Sequence, residues 1–210
     1  MTARFITLEG GEGAGKSTSL AVIVDFLRAR GIAHLVTREP GGTALGEAIR
    51  SLLLGDVEAH VDPLAELLLI FAARAQHLTE VIRPALAAGA WVVCDRFTDA
   101  SYAYQGGGRE LGEAPIAVLE QLVQGGLRPD LTLVLDLEPR LGLERIGGRS
   151  TLDRFEREQL AFFERVRAVY RKRAAADPAR CRLLDAGQPP ERVGAAILAH
   201  LEVLASADGR

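Results

Sequence analysis

The chain has 210 residues, 48% of them apolar and 25% charged, with a formal net charge of −3. That length and balance suit one α/β core, supply no run of about 18 apolar residues for a bilayer span, and give no general attraction to nucleic acid or an anionic membrane surface. The two cysteines and four scattered histidines form no disulfide, redox or zinc spacing, so any metal should arrive with a ligand.

Met1-Thr2-Ala3-Arg4 runs directly into apolar Phe5–Leu8. That leaves no space for an export signal, and a cytoplasmic chain is expected. Phe5–Leu8 is the first of five expected strands, and it leads into Gly10-Gly11-Glu12-Gly13-Ala14-Gly15-Lys16-Ser17. This segment fits G-x-x-x-x-G-K-S/T at every fixed position. A strand before it and a helical pattern over 16–30 after it let backbone N–H groups and a helix N-terminus converge on the phosphates of a nucleotide. Glycine is needed where a Cβ would block that approach. Lys16 can follow the transferring phosphoryl group, Ser17 can reach Mg²⁺, and Thr18 extends the contact run. ATP with Mg²⁺ is the expected cofactor pair.

The second strand, His34–Thr37, opens into Thr37-Arg38-Glu39-Pro40-Gly41-Gly42-Thr43 and a helix over 43–54. A long helix over 64–88 follows, capped by Asp62-Pro63, with a kink or break expected at Arg83-Pro84. The third strand, Trp91–Cys94, delivers Asp95-Arg96 to the C-terminal end of the sheet, where open α/β sheets bind ligands. Tyr104-Gln105-Gly106-Gly107-Gly108-Arg109 comes next, its glycines read as a mobile loop. Helices over 113–124, 139–146, 154–176 and 190–205 alternate with strands Leu131–Leu137 and Arg182–Leu184. The alternation predicts a five-stranded parallel sheet covered by helices on both faces. Between 145 and 155 stand a diglycine and the arginines Arg145, Arg149 and Arg154, which taken alone read as a solvated basic loop. Only Lys16 and Lys172 among the 25 basic residues are lysine. Arginine, whose planar fork grips phosphate through two bonds, therefore carries the positive charge, although GC-rich coding would give the same bias.

The phosphate loop alone leaves many activities open. A guanine-specific switch would need N-K-x-D and D-x-x-G segments, and neither string occurs. The segments Glu9–Ser17, Thr37–Thr43, Phe71-Ala72-Ala73-Arg74-Ala75-Gln76-His77, Asp95–Asp99, Tyr104–Arg109, Arg128-Pro129-Asp130-Leu131-Thr132 and Leu152–Glu156 resemble the bacterial thymidylate kinase family, in the family's order and over nearly the whole chain. The resemblance implies a nucleoside monophosphate kinase-like domain with a lid at about 145–155. It implies transfer of the γ-phosphoryl group of ATP to dTMP, a homodimer, and no polymeric nucleic-acid or membrane partner. By the same resemblance Arg96 and Arg50 hold the acceptor phosphate, Arg74 meets the thymine carbonyl, Ser101 and Gln105 line the base edge, and Tyr104 lies against the deoxyribose. The stacking aromatic of the family falls at Ile70, with Phe71 the candidate replacement one position on. Glu12 would receive the sugar 3′-hydroxyl. The absence of an arginine from Glu12-Gly13-Ala14 resembles the subtype whose catalytic arginine comes from the lid, with Arg149 the first choice. Asp95 and Glu9 are candidates for orienting Mg²⁺ through water. Another nucleoside or nucleotide kinase, or a regulatory P-loop ATPase, are the alternatives.

Overall fold

The computed structural model describes residues 2–55, 61–147 and 153–206. Five parallel strands, β1 (Phe5–Gly10), β2 (His34–Arg38), β3 (Trp91–Asp95), β4 (Leu131–Asp136) and β5 (Cys181–Asp185), form one sheet in the order β2-β3-β1-β4-β5. The three inner strands are buried almost throughout, as their continuous apolar runs require, while the edge strands β2 and β5 are only partly covered. On one face, Ile23, Phe26 and Leu27 of α1 (Lys16–Ala29) and Ile197 and Leu201 of α9 (Pro190–Ser206) pack on Ile6, Leu8, Val93 and Leu133. On the other, Phe5, Val92 and Cys94 meet Leu78 and Ile82, and Val134 meets Phe162, Phe163 and Val166 of α8 (Leu160–Ala176).

The remaining helices are α2 (Ala44–Leu54), α3 (Pro63–His77), α4 (Arg83–Ala87), α5 (Thr98–Ser101), α6 (Ala114–Gln124) and α7 (Pro139–Ile146). The expected cap holds at α3, where the Asp62 carboxylate accepts from Leu64 N and Ala65 N. The long helix is not broken at Pro84. Its hydrogen bonds switch to a π-helical turn over Leu78–Ile82, just before the residue that has no N–H to donate.

Two expectations are corrected. The glycines 106–108 are not a loose loop but the end of a π-helical turn, Tyr102–Gly108, that continues α5. They are small because helices press on them: a Cβ at Gly106 would meet Ile116 at 2.9 Å, one at Gly107 would meet Val169 at 2.6 Å, and one at Gly108 would meet Phe162 at 2.4 Å. The helix expected from residue 154 begins at Leu160, because the Asp153 carboxylate accepts from Phe155 N and Glu156 N and closes a separate turn first.

The loop after β1 and α7 approach each other closely through their backbones. A Cβ on Gly142 would stand 2.3 Å from the Glu12 carbonyl oxygen, and one on Gly13, whose φ is +68°, would stand 2.3 Å from the Gly142 oxygen. Gly142→Ala is therefore expected to destabilise the fold by about 1–3 kcal/mol, seen as a Tm lower by roughly 2–12 °C. An unchanged Tm would show that this contact yields without cost.

Candidate active site

Parallel register decides where the site lies. β1 pairs with β3 so that Leu8 stands opposite Asp95. The loop leaving β1 and the Asp95-Arg96 corner leaving β3 therefore emerge side by side, at the crevice outside the carboxyl ends of the strands. A cleft of about 500 Å³ opens there. It is lined by Glu12 to Thr18 from the phosphate-type loop, by Arg50, Ile70 and Arg74 from α2 and α3, and by Asp95, Arg96 and Phe97 after β3. Ser101, Tyr104 and Gln105 line it from the helical turn, with Arg145, Ile146, Asp153, Phe155 and Glu156 at its rim.

The loop residues Gly10, Gly13 and Gly15 hold φ values of 139°, 68° and 89°, which only glycine adopts freely. Lys16 Nζ donates to the Gly10 and Gly11 carbonyls at 3.3 and 3.0 Å. Burial, and next the charge of Arg96, lower the pKa of this ammonium. Ser17 and Thr18 are exposed at the start of α1.

Arg96 is the pivot of the half of the cleft that faces the loop. Its φ of 68° is rare for a side chain with a Cβ and turns it back over the loop. Nη2 donates to Glu12 Oε1 at 2.6 Å and Nη1 to the Gly10 carbonyl at 3.0 Å, and the guanidinium sits 4.6 Å over the Tyr104 ring. The Tyr104 hydroxyl donates to the same Glu12 oxygen at 2.7 Å. Arg50 reaches the Pro40 carbonyl at 3.0 Å from the opposite wall. Ser101 accepts from Arg74 at 2.9 Å, and Gln105 donates to Glu66 at 2.8 Å. Glu66 is fully buried and also receives Arg109 at 3.3 Å and Arg154, which in turn reaches the Leu53 carbonyl at 2.8 Å.

Most of the residues singled out in the sequence thus meet in one cleft; Gly10 and Gly11 stand just before its lining, and Phe71, Glu9 and Arg149 are further exceptions. Phe71 does not line it: the ring is buried with Leu67, Tyr102 and Ile116 and lies 4.5 Å from the Arg74 guanidinium. The neighbouring Ile70 takes the cleft-facing direction, as a rotation of about 100° per helical residue demands. Glu9 lies beneath the cleft and is fully buried, with Oε1 taking the Phe97 N–H at 2.7 Å and Oε2 the Tyr170 hydroxyl at 2.8 Å. Each of its oxygens accepts one hydrogen bond from the protein, and the side chain is not among those lining the cleft. Arg149 lies outside the described residues. Phe97, Phe155, Glu39 and Tyr170 were missed as site residues. Glu39 and Phe155 stood inside segments already singled out, whereas Tyr170 is 161 positions from Glu9 and carries no local signal.

Burial, followed by the charge of Asp99, raises the Glu9 pKa from 4.5 to about 7. A raised value in the folded state means that the folded chain holds this proton more tightly than the unfolded one. The stabilisation is complete below about pH 4.5 and is lost as pH rises through about 7. Glu9→Gln stays neutral, so its Tm should gain on that of the parent between about pH 5 and about pH 8, by the equivalent of about 1–3 kcal/mol. A Tm difference that does not change with pH would show Glu9 to be ionised throughout.

The likenesses to known proteins agree with this geometry. The family model described as thymidylate kinase matches residues 8–197. The thymidylate kinase of Teredinibacter turnerae is 59% identical over 202 residues, covering 96% of this chain and 98% of that protein. That of Pseudomonas savastanoi is 61% identical over 197 residues, covering 94% of each. Among solved structures, the crystal structure of thymidylate kinase from Ehrlichia chaffeensis superposes with a TM-score of 0.76 at 30% identity, covering 96% of this chain and 99% of that one. A phosphate-type loop and a part-buried arginine on adjoining strand ends, in a chain alike to these proteins over nearly its full length, make it a member of the thymidylate kinase family.

Proposed function

We propose that this kinase transfers the γ-phosphoryl group of ATP to dTMP, giving dTDP and ADP, across the single cleft between the Lys16 loop and Arg96. The observation that carries the reading is that both cationic groups line one cavity of about 500 Å³. Direct transfer needs donor and acceptor phosphates brought together in line, and most of the catalysis is then positioning and charge stabilisation. The backbone N–H groups of Gly10–Ser17 and the Lys16 ammonium hold the donor phosphates. Arg96 and Arg50 hold the acceptor phosphate from two walls. Arg74 meets the thymine carbonyl, with Ser101 and Gln105 on the base edge. Tyr104 lies against the deoxyribose, where its bulk excludes a 2′-hydroxyl, and Glu12 takes the 3′-hydroxyl.

Mg²⁺ fits the donor side. Asp95 Oδ1 is buried with no hydrogen-bond partner, and Ser17 presents an exposed hydroxyl to the same cleft. Among the described residues no three His, Cys, Asp or Glu side chains form a metal cluster, which suits an ion that takes most of its ligands from phosphates and water. When bound, the ion neutralises charge on the β- and γ-phosphate oxygens. Arg145 donates to the Gly13 carbonyl at 3.1 Å and Arg154 is committed to Glu66. With those two occupied, Arg149 is the lid arginine proposed to meet the transferring group, in a lid spanning about 145–155 of one kinase domain.

Homodimerisation is part of the proposal. Leu45 and Leu52 of α2, Leu64 and Leu68 of α3, and Val118 and Leu122 of α6 leave apolar side chains exposed, with Leu122 at 78%. Helix α3 adjoins both α2 and α6, and a second copy covering them would remove that surface from water. No helix among the described residues is long and apolar enough to cross a membrane.

A panel of nucleoside monophosphates with radiolabelled ATP tests the acceptor. dTMP should be turned over fastest, and negligible dTMP turnover beside fast use of another acceptor would refute the assignment. Arg149→Ala should lower kcat by about 10²- to 10³-fold while changing KM for dTMP little. A normal kcat would transfer the role to Arg145 or Arg154. Leu122→Asp should shift light-scattering mass from dimer to monomer; a monomeric parent would end the dimer reading.

A further inference from the structure

Arg74 enters the cleft from α3 with all but one of its nitrogens committed. Nε donates to Glu39 Oε2 at 2.7 Å, and Nη2 donates to the Phe97 carbonyl at 3.1 Å and the Ser101 hydroxyl at 2.9 Å. The rings of Phe71 and Phe97 hold the guanidinium at 4.5 and 5.0 Å. Nη1 is buried and has no hydrogen-bond partner. Because Nε and Nη2 are both anchored, the planar group has no freedom to swing Nη1 toward another acceptor.

The anchor continues away from the cleft. Glu39, itself buried, uses its second oxygen for His77 Nδ1 at 3.0 Å, and His77 Nε2 pairs with Thr37 Oγ1 at 2.6 Å. A carboxylate can only accept, so Nδ1 donates to it and Nε2 is left to pair with the hydroxyl. Arg74 and His77 lie three residues apart on α3 and so share a face, and Thr37 and Glu39 flank the end of β2. Gly42 makes room for the junction: a Cβ there would stand 2.5 Å from His77 Nε2 and 2.7 Å from Thr37 Oγ1. Neither Thr37 nor His77 lines the cleft, so neither can touch a substrate in it.

We infer that Thr37, His77 and Glu39 form a positioning chain that fixes the direction of Arg74 and so sets the preference of the site for a pyrimidine with a carbonyl, rather than an amino group, at the edge facing Nη1. The inference rests on Arg74 meeting the base. A guanidinium can donate but not accept, and its discrimination against an amino group depends on its being held still. A loosened Arg74 could turn aside from an amino group, so the penalty against the wrong base would fall. Donor-phosphate binding and the transfer step use none of these side chains.

Steady-state kinetics with dTMP and dCMP would be measured on Thr37→Val, His77→Leu, His77→Asn and Arg74→Ala, together with KM for ATP and thermal melting. Thr37→Val and His77→Leu should raise KM for dTMP about 5- to 30-fold, keep kcat within about twofold, and cut the dTMP-to-dCMP ratio of kcat/KM about tenfold. KM for ATP should not move. His77→Asn, which keeps a donor near the Nδ1 position, should recover most of the loss. Should His77→Leu fail to fold, Thr37→Val, which preserves side-chain volume, decides. Unchanged KM and base ratio in Thr37→Val, or equal loss in His77→Leu and His77→Asn, would overturn the chain while leaving the base contact intact. An Arg74→Ala variant with parental KM for dTMP would overturn the base contact and the chain with it.

Discussion

The site depends on the ion pair between Arg96 and Glu12. These residues leave neighbouring strands, and their 2.6 Å contact, with the Arg96 hydrogen bond to the Gly10 carbonyl, ties the Asp95-Arg96 corner to the phosphate-type loop. Both side chains are less than one-fifth exposed, so the attraction is weakly screened, and removing one partner would leave a poorly solvated charge. The backbone of Arg96 is held at positive φ to make this contact, a strain of about 1–3 kcal/mol that persists only because the surroundings fix it. Catalysis by positioning asks for this kind of rigidity where two anions must be held close together.

Around that pair, polar side chains are buried in linked sets rather than singly. Glu9 joins the end of β1 to the Phe97 backbone and to Tyr170 on α8. Asp99 receives both Arg173 and Arg180, and Arg180 also reaches Thr132 at 2.8 Å beside the 2.7 Å contact of Thr7 with Thr132. Each network satisfies donors that would otherwise be costly to bury, and each crosses between elements far apart in the chain. The arginine excess seen in the composition is therefore not only for phosphate: much of it fastens helices to the sheet.

The sheet, its parallel sense and the phosphate-type loop were legible because each rests on local pattern: apolar runs of strand length, and glycines at fixed offsets before Lys16. The shared cleft followed once Asp95-Arg96 was assigned to a strand end. What could not be read were consequences of packing. Three successive glycines at 106–108 suggest a flexible link until Ile116, Val169 and Phe162 are seen to occupy the space that side chains would take. Ile70 and Phe71 differ by one step of helix, and only the docking of α3 against Tyr102 and Ile116 decides which faces the cleft. The carboxylate of Glu9 looked available beside the loop, but α8, which covers it, comes from the far end of the sequence. Arg149 is a lid-arginine candidate by resemblance and lies outside the described residues.

Glu66 has a consequence for how the rim of the cleft can move. One solvent-shielded carboxylate accepts from Gln105, from Arg109 and from Arg154, and Arg109 is also paired with Glu158. Displacing residues 153–158 would strip positive charge from that buried anion, so withdrawal of this stretch is disfavoured. Gln105 hangs from Oε1 of the same carboxylate, which makes the rim and the floor of the cleft a single latch.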